Sequence, residues 1–315
     1  MITALMLAAF AGADGQRVLN PGVNHVTFTS ENEMMAGNIY LPAGYKPGDK
    51  LPVILIVGPF TQVKEQIPAK YAGKIMEGGF AAFGFDFRFW GESGGSPRSF
   101  ESPKDKIQDI RSAVTFLESI DAIDKDRMGA IGVCFGAGYV AEVVASDKRI
   151  KSWATVAAWL NDEDNLVKLF TQPTLDYRDS LSIAAEKHFS ATGKMEYAPA
   201  YEVGNKKAAM FFTVDYYGNS ERGAIPEWKN EYALISHKAW HDFNIWSVAP
   251  TITTPALFVH SDGSALPQNI KRLYDEVKGP KKLHWAVGEH TEFYDRDRQV
   301  NEAAQALIRH FTKTL

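Results

Sequence analysis

The sequence predicts an α/β fold: a mostly parallel sheet of eight strands carrying one separate helical insertion. Three observations lead there. Short strand-like runs recur along the chain, amphipathic helical stretches fill most gaps between them, and one gap is far too long for a single helix. The 315 residues exceed a usual domain about twofold, which suits one large sheet domain with an insertion.

The runs are His25–Ser30, Ala36–Leu41, Pro52–Val57, Phe80–Asp86, Arg127–Val133, Lys151–Ala157, Pro255–Ser261 and Lys281–Val287. From the third onward they are nearly continuous in apolar residues, the pattern of parallel strands buried on both faces. Helices are expected over Pro68–Gly78 and Gly136–Ser146. Ile107, Ile110, Val114 and Leu117 form one apolar stripe at helical spacing, and Val300, Ala304, Leu307 and Phe311 form another. Such alternation implies right-handed crossovers. The exception is 159–250, which lacks it but holds Tyr197, Tyr201, Phe211, Phe212, Tyr216, Tyr217, Trp228, Trp240 and Trp246. The expected organisation is therefore a sheet domain over 1–158 and 251–315, with a cap over 159–250. Its aromatics are expected both to form its own core and to wall a pocket.

Composition narrows the function. Lys plus Arg number 34 and Asp plus Glu 38, a net charge of −4, so there is no basic excess for nucleic acid or an anionic membrane. No apolar run reaches the ~18 residues of a membrane span. Hydrophobic residues at 45% and charged at 23% are ordinary for a globular chain. A single cysteine, Cys134, rules out an intrachain disulfide and a thiolate zinc cluster. No histidine pair stands at ligand spacing with a carboxylate on one helix, so neither metal nor cofactor is expected. Ile2–Phe10 is apolar and Ala9-Phe10-Ala11 has the spacing of a signal cleavage site, but the first basic residue is Arg17. An ordinary first segment and a cytoplasmic location are expected, with a truncated export signal as the alternative.

Two motifs are decoys. Gly91-Glu92-Ser93-Gly94-Gly95 spells a serine nucleophile signature. That chemistry needs a strained turn between a strand and a helix, whereas Phe87–Trp90 intervenes before the motif and Pro97 follows it. Gly136-Ala137-Gly138-Tyr139-Val140-Ala141 matches a dinucleotide fingerprint, with Asp162 as a candidate ribose ligand. It does not follow its strand directly and four strands precede it, so nicotinamide binding is a distant alternative.

The nucleophile elbow is expected at Gly132-Val133-Cys134-Phe135-Gly136, where an apolar strand runs straight into a helix. Glycines stand where side chains would clash, and the helix N-terminus should favour a thiolate at Cys134. The plain alternative is a buried, inert cysteine. A nucleophile needs a base and the base an orienting acid; on such a sheet they follow in the chain order nucleophile, acid, histidine. His290 lies after the last strand and Asp262 after the seventh, with Asp162, Glu163 and Asp164 as the alternative acids after the sixth. Oxyanion donors are expected at the N–H groups of Phe135 and Phe60, with Thr61 in reserve because Pro59 has no N–H. Trp90, Tyr216 and Tyr217 are assigned to substrate binding, the tyrosine pair in a turn suggested by Gly218-Asn219.

Pro59-Phe60-Thr61-Gln62-Val63-Lys64-Glu65-Gln66, the stretch Asp86–Gly95, the elbow at Cys134, and Gly288-Glu289-His290 with Phe293-Tyr294-Asp295 together resemble the dienelactone-hydrolase-related α/β-hydrolases. Members are mostly assigned as hydrolases, and relatives include polyketide transferases. The resemblance runs from Pro52 to Phe311 and is strongest in the sheet domain. It implies an α/β-hydrolase fold and a triad of Cys134, His290 and Asp262 acting on a small ester, thioester or lactone. Two departures stand out. The acid turn His260–Pro267 is about one residue shorter than the family's pattern, and Leu55-Ile56-Val57 stands where dienelactone hydrolase itself carries a glutamate. That enzyme's resting mechanism and substrate are therefore not carried over. The expected activity is hydrolysis through a cysteine acyl-enzyme. An acyltransferase using the same residues and a non-catalytic receptor are the alternatives, and a homo-oligomer is left open.

Overall fold

The computed structural model describes residues 19–315; the apolar stretch at 2–10 lies outside them. In chain order the elements of the first half are β1 (Gly22–Ser30), β2 (Glu33–Leu41), β3 (Leu51–Val57), α1 (Ile67–Glu77), β4 (Ala81–Phe85), α2 (Pro103–Glu118), β5 (Ile123–Val133), α3 (Gly136–Ser146) and β6 (Ile150–Val156). Then come α4 (Glu163–Phe170), α5 (Gln172–Thr192), β7 (Tyr197–Ala198), α6 (Asp215–Gly218), β8 (Tyr232–Ala233) and α7 (Ser236–Asp242). The chain closes with β9 (Ala256–His260), α8 (Pro267–Glu276), β10 (Lys281–Trp285), α9 (Glu292–Asp295) and α10 (Asp297–Thr314).

Eight strands form one sheet in the order β1-β2-β4-β3-β5-β6-β9-β10. β1 and β2 pair antiparallel, as do β2 and β4, and every later pairing is parallel. β3 and β5 carry the sheet centre, where Val53–Val57 and Met128–Val133 are all buried. This is the mostly parallel α/β sheet expected from the alternating runs, in the α/β-hydrolase arrangement that the family resemblance implied.

The β6–β9 connection adds no strand to this sheet. Its core gathers around Arg178, whose guanidinium lies over the rings of Phe170 and Phe211 at 5.1 and 4.8 Å. The same group donates to the carbonyl oxygens of Lys206, Ala208 and Ala209, so a buried cation is satisfied without a carboxylate. Indole and amide donors fasten the connection to the sheet side. Trp228 Nε1 donates to Thr61 O at 2.8 Å and Gln66 Nε2 to Gly223 O at 2.6 Å, while the bond from Trp246 Nε1 to Asn161 O at 2.7 Å ties the two ends of the connection to each other. Arg222 bridges to Asp295 at 2.7 Å. The tyrosine pair expected in a turn sits in the single helical turn α6, because Asp215 to Gly218 close their own backbone there.

Between β5 and α3 the backbone packs too tightly for side chains at two positions. A Cβ on Gly132 would stand 2.4 Å from Ala137 Cα, and one on Gly136 would stand 2.3 Å from Gly58 O. Gly136→Ala should therefore lower the unfolding free energy by about 2 kcal/mol or more in urea titration, the scale of overpacking against an unyielding neighbour. An unchanged midpoint would mean that the Gly58 backbone gives way.

Candidate active site

Cys134 occupies the crest of this turn with φ of 53°, a left-handed conformation that costs a non-glycine residue about 1–2 kcal/mol. Three backbone hydrogen bonds hold it there. Its N–H donates to Val156 O at 3.1 Å, and its own carbonyl accepts from Ala137 at 3.2 Å and Trp159 at 2.9 Å. The side chain is thereby turned to the head of α3 and into a cavity of about 390 Å³. Its Sγ lies 3.3 Å from His290 Nε2, and the Tyr294 hydroxyl and Phe135 N–H also reach it.

Burial dominates the electrostatics. Instead of the lowered value expected from the helix N-terminus and the histidine, burial pushes the Cys134 thiol up to about 12, although Tyr294 and the Phe135 N–H favour the thiolate. Burial, aided by the nearby His260, pulls His290 down to about 3. The resting pair is a neutral thiol beside a neutral imidazole.

The orienting partner also differs from expectation. The Ala265 N–H donates to His290 Nδ1 at 3.2 Å, so the ring proton sits on Nε2, facing the sulfur. No hydrogen bond joins Asp262 to His290; the Asp262 carboxylate is exposed, and its field acts on His260. The alternative acids do not reach the histidine either. Asp162 caps α4 through Asn165 N at 2.8 Å and accepts from Asn269 Nδ2 at 2.6 Å, while Glu163 and Asp164 lie in the first turn of α4.

The oxyanion loop is better defined. Among the described residues the Phe60 N–H has no hydrogen-bond partner, and its ring stacks on Trp240 at 5.8 Å. Thr61 is excluded as a donor, because its N–H is taken by Glu101 Oε2 at 2.9 Å. Glu101 is fully buried and also accepts from Tyr139 at 2.7 Å and Lys106 at 2.7 Å, tying the loop to α3 and α2. Sequence reasoning missed Glu101 and Tyr294, since Thr61 and Tyr139 lie 40 and 38 residues from Glu101, Cys134 is remote from Tyr294, and only three-dimensional packing joins them.

Of the three assigned substrate-binding residues, the structure places Tyr217 in the cavity wall. Tyr216 stands behind that wall, edge-on to Tyr217 and Tyr294 with centroids 5.0 Å apart in each case. Trp90 is buried elsewhere, its indole donating to Phe100 O at 3.0 Å beneath Lys106. Both side chains are consumed by packing. Ser93 is likewise structural: it donates to Asp86 O at 2.6 Å and accepts from Ala36 N at 2.9 Å. Gly138 of the dinucleotide-like run packs against the Phe243 ring.

The cavity lies between sheet and connection. Phe60, Phe135 and Tyr294 line it from the sheet domain, and Trp159, Phe170, Met210, Phe212, Tyr217 and Trp240 from the connection. Among the described residues, Asp215 and Glu289 reach its lining and no Lys or Arg does.

Residues 33–292, which include the elbow and His290, match the model of the X-Pro dipeptidyl-peptidase (S15) family. The chain belongs to this family. Among the chain's relatives, the uncharacterized protein PA2218 of Pseudomonas aeruginosa is 30% identical over 299 residues, covering 88% of this chain and 78% of the relative. Its crystal structure matches with a TM-score of 0.78 over 100% of both chains. The acyltransferase drtE of Aspergillus calidoustus is 25% identical over 282 residues, 83% of this chain and 87% of the relative. The α/β-hydrolase GrgF of a Penicillium species shares the fold, with a TM-score of 0.77 at 20% identity over 92% of this chain and 99% of that one. An α/β-hydrolase family with acyl-transferring relatives is thus shown. The matched S15 model is named for dipeptidyl-peptidases rather than for dienelactone hydrolases.

The protonated resting thiol has a measurable consequence. Thiolate is the alkylated form, so the iodoacetamide rate of the native protein should climb about tenfold per pH unit from 7 to 9.5 without levelling. A plateau near neutral pH, read by intact mass, would instead reveal a thiolate–imidazolium pair.

Proposed function

We propose that this S15-family chain is a hydrolase that cleaves a small ester, thioester or lactone through an acyl-enzyme on Cys134. One observation carries the reading: a sulfur on a left-handed crest, 3.3 Å from an imidazole, opens into a cavity beside an unpaired backbone N–H. The sulfur attacks the carbonyl carbon while its proton passes to His290 Nε2. The Phe60 and Phe135 N–H groups receive the oxyanion. On collapse the carbon–leaving-group bond breaks and His290 returns the proton to the leaving oxygen or sulfur. Water, deprotonated by His290, then releases the acid and restores the thiol.

For His290 to accept a proton at Nε2, its ring proton must lie on Nδ1, where the Ala265 N–H now points. The proposal therefore includes a shift of the 261–266 turn. Asp262 is the carboxylate on that turn and the acceptor proposed for Nδ1–H. The turn is already strained, with Leu266 at φ 54°.

Transfer to an alcohol or amine acceptor is the second reading, favoured by the likeness to the acyltransferase drtE. The adjacent thiol and imidazole speak against a receptor that performs no chemistry.

Mixing the protein with a panel of activated esters and thioesters should give an acyl mass increment on Cys134. Its loss to water identifies a hydrolase, its loss only to an added alcohol or amine a transferase, and no adduct with any ester overturns both. His290→Ala should cost about 10²-fold or more in turnover. Asp262→Asn should cost more turnover than Asp162→Asn; the reverse order in steady-state assays would assign the acid to the end of β6.

A further inference from the structure

The oxyanion loop is held in strained backbone at Thr61. This fully buried residue is β-branched yet has φ of 62°, a conformation such side chains adopt only under constraint. Two hydrogen bonds clamp the peptides on either side of it. From the sheet domain, the Glu101 carboxylate accepts the Thr61 N–H at 2.9 Å. From the connection, the indole of buried Trp228 donates to the Thr61 carbonyl at 2.8 Å, across 167 residues of chain. Were Thr61 to relax to negative φ, the Phe60 peptide would rotate and carry its N–H with it.

Trp228 belongs to a short segment fastened to both catalytic loops. Gly223 O accepts from Gln66 Nε2 at 2.6 Å, and Gln66 Oε1 in turn accepts from Val63 N at 3.0 Å, within the oxyanion loop. Arg222 grips Asp295 through bonds of 2.8 and 2.7 Å and donates at 3.0 Å to the carbonyl of Thr291, the residue after His290. Residues 222–228 therefore bridge the oxyanion loop and the histidine loop. Neither Arg222 nor Trp228 belongs to the cavity lining.

We infer that the 222–228 segment holds the oxyanion hole in its working shape, with Trp228 as a positioning residue that acts through the Thr61 carbonyl. This rests on the acyl-enzyme reading and deepens it. The indole offers a single N–H in a fixed direction, and its ring packs on Tyr217 with centroids 5.3 Å apart, so the strained residue of the loop is tied to the cavity wall. The connection then governs the rate of the chemical step, apart from any part in choosing the substrate. Attack on an ester carbonyl needs oxyanion donors, whereas alkylation of the same sulfur needs only thiolate. Two reactions of one thiol therefore report separately on the hole and on the nucleophile.

The test uses the full chain with p-nitrophenyl acetate and iodoacetamide at one pH, each reaction followed by intact mass at Cys134. Trp228→Phe keeps an aromatic ring but loses the N–H. Its acetylation rate should fall about tenfold, while its alkylation rate stays within about twofold of wild type. Trp228→His should restore most of the loss, because imidazole Nε2 stands two bonds beyond Cγ, as indole Nε1 does. An acetylation-to-alkylation ratio unchanged in Trp228→Phe overturns the inference. A ratio in Trp228→His at or below that of Trp228→Phe also overturns it, since the bulk of the ring would then be what matters. Should Trp228→Phe fail to fold, Gln66→Met cuts the bond to Gly223 O and should lower the same ratio; an unchanged ratio there overturns the inference. The wild type separates this failure from that of the parent reading. If p-nitrophenyl acetate leaves no acetyl group on Cys134, the acyl-enzyme falls and takes this inference with it; if it does and the variants keep the wild-type ratio, only the role of Trp228 falls.

Discussion

Strand β5 cannot leave the sheet gradually. Ala137 stands against Gly132 and the Gly58 carbonyl against Gly136, so the chain reverses within the few residues between them. The residue at the crest must accept positive φ, and Cys134 accepts it because three backbone hydrogen bonds offset the strain. Much of the site follows from that turn. It sets the sulfur at the head of α3, sets the Phe135 N–H beside it, and brings the oxyanion loop after β3 into contact through Gly58. Glu101 then secures the loop from the other side, one buried carboxylate binding Thr61, Lys106 and Tyr139 at once.

The same burial that makes the turn rigid decides the charge of the thiol. A rise from its ordinary 9.0 to about 12 corresponds to roughly 4 kcal/mol against the thiolate. A helix N-terminus offers about 0.3–1 kcal/mol, and about 2 in favourable buried geometry. Desolvation therefore wins. In the mechanism proposed above, the readiness of His290 to take the proton therefore matters more than any resting ion pair.

How much of this could be read from the chain depended on whether a feature was local. Eight strand-like runs announced the eight strands of the main sheet, most clearly at its centre, where parallel strands buried on both faces leave a continuous apolar signature. Glycines at 132 and 136 around a cysteine announced the elbow, because a close backbone approach excludes every other residue there. His290 and Phe60 were found from chain order on the sheet. Side-chain partnerships across the fold left no such mark. Nothing in the Asp86–Gly95 stretch says that the Trp90 indole turns to Phe100, and nothing in Asp215-Tyr216-Tyr217-Gly218 says which ring faces the cavity. Asp262 lies on a turn that touches the His290 loop, but the direction of its carboxylate depends on backbone geometry that spacing does not carry.

That turn shows how backbone geometry can decide chemistry. Between β9 and α8 the chain crosses close to the loop bearing His290: a Cβ on Gly263 would stand 2.6 Å from Gly288 O, and His290 N donates to Gly263 O at 3.2 Å. Ser261 Oγ adds a bond to Gly288 O at 2.6 Å and contacts Ser264 Oγ at 2.8 Å. Held at both ends, the turn meets Pro267 with Leu266 forced into left-handed backbone, and an amide rather than a carboxylate faces Nδ1. A backbone N–H there favours the proton on Nε2, whereas a carboxylate would favour it on Nδ1 and stabilise the imidazolium. The path of the turn's backbone, as much as any acid on it, thus sets which form of His290 faces the sulfur.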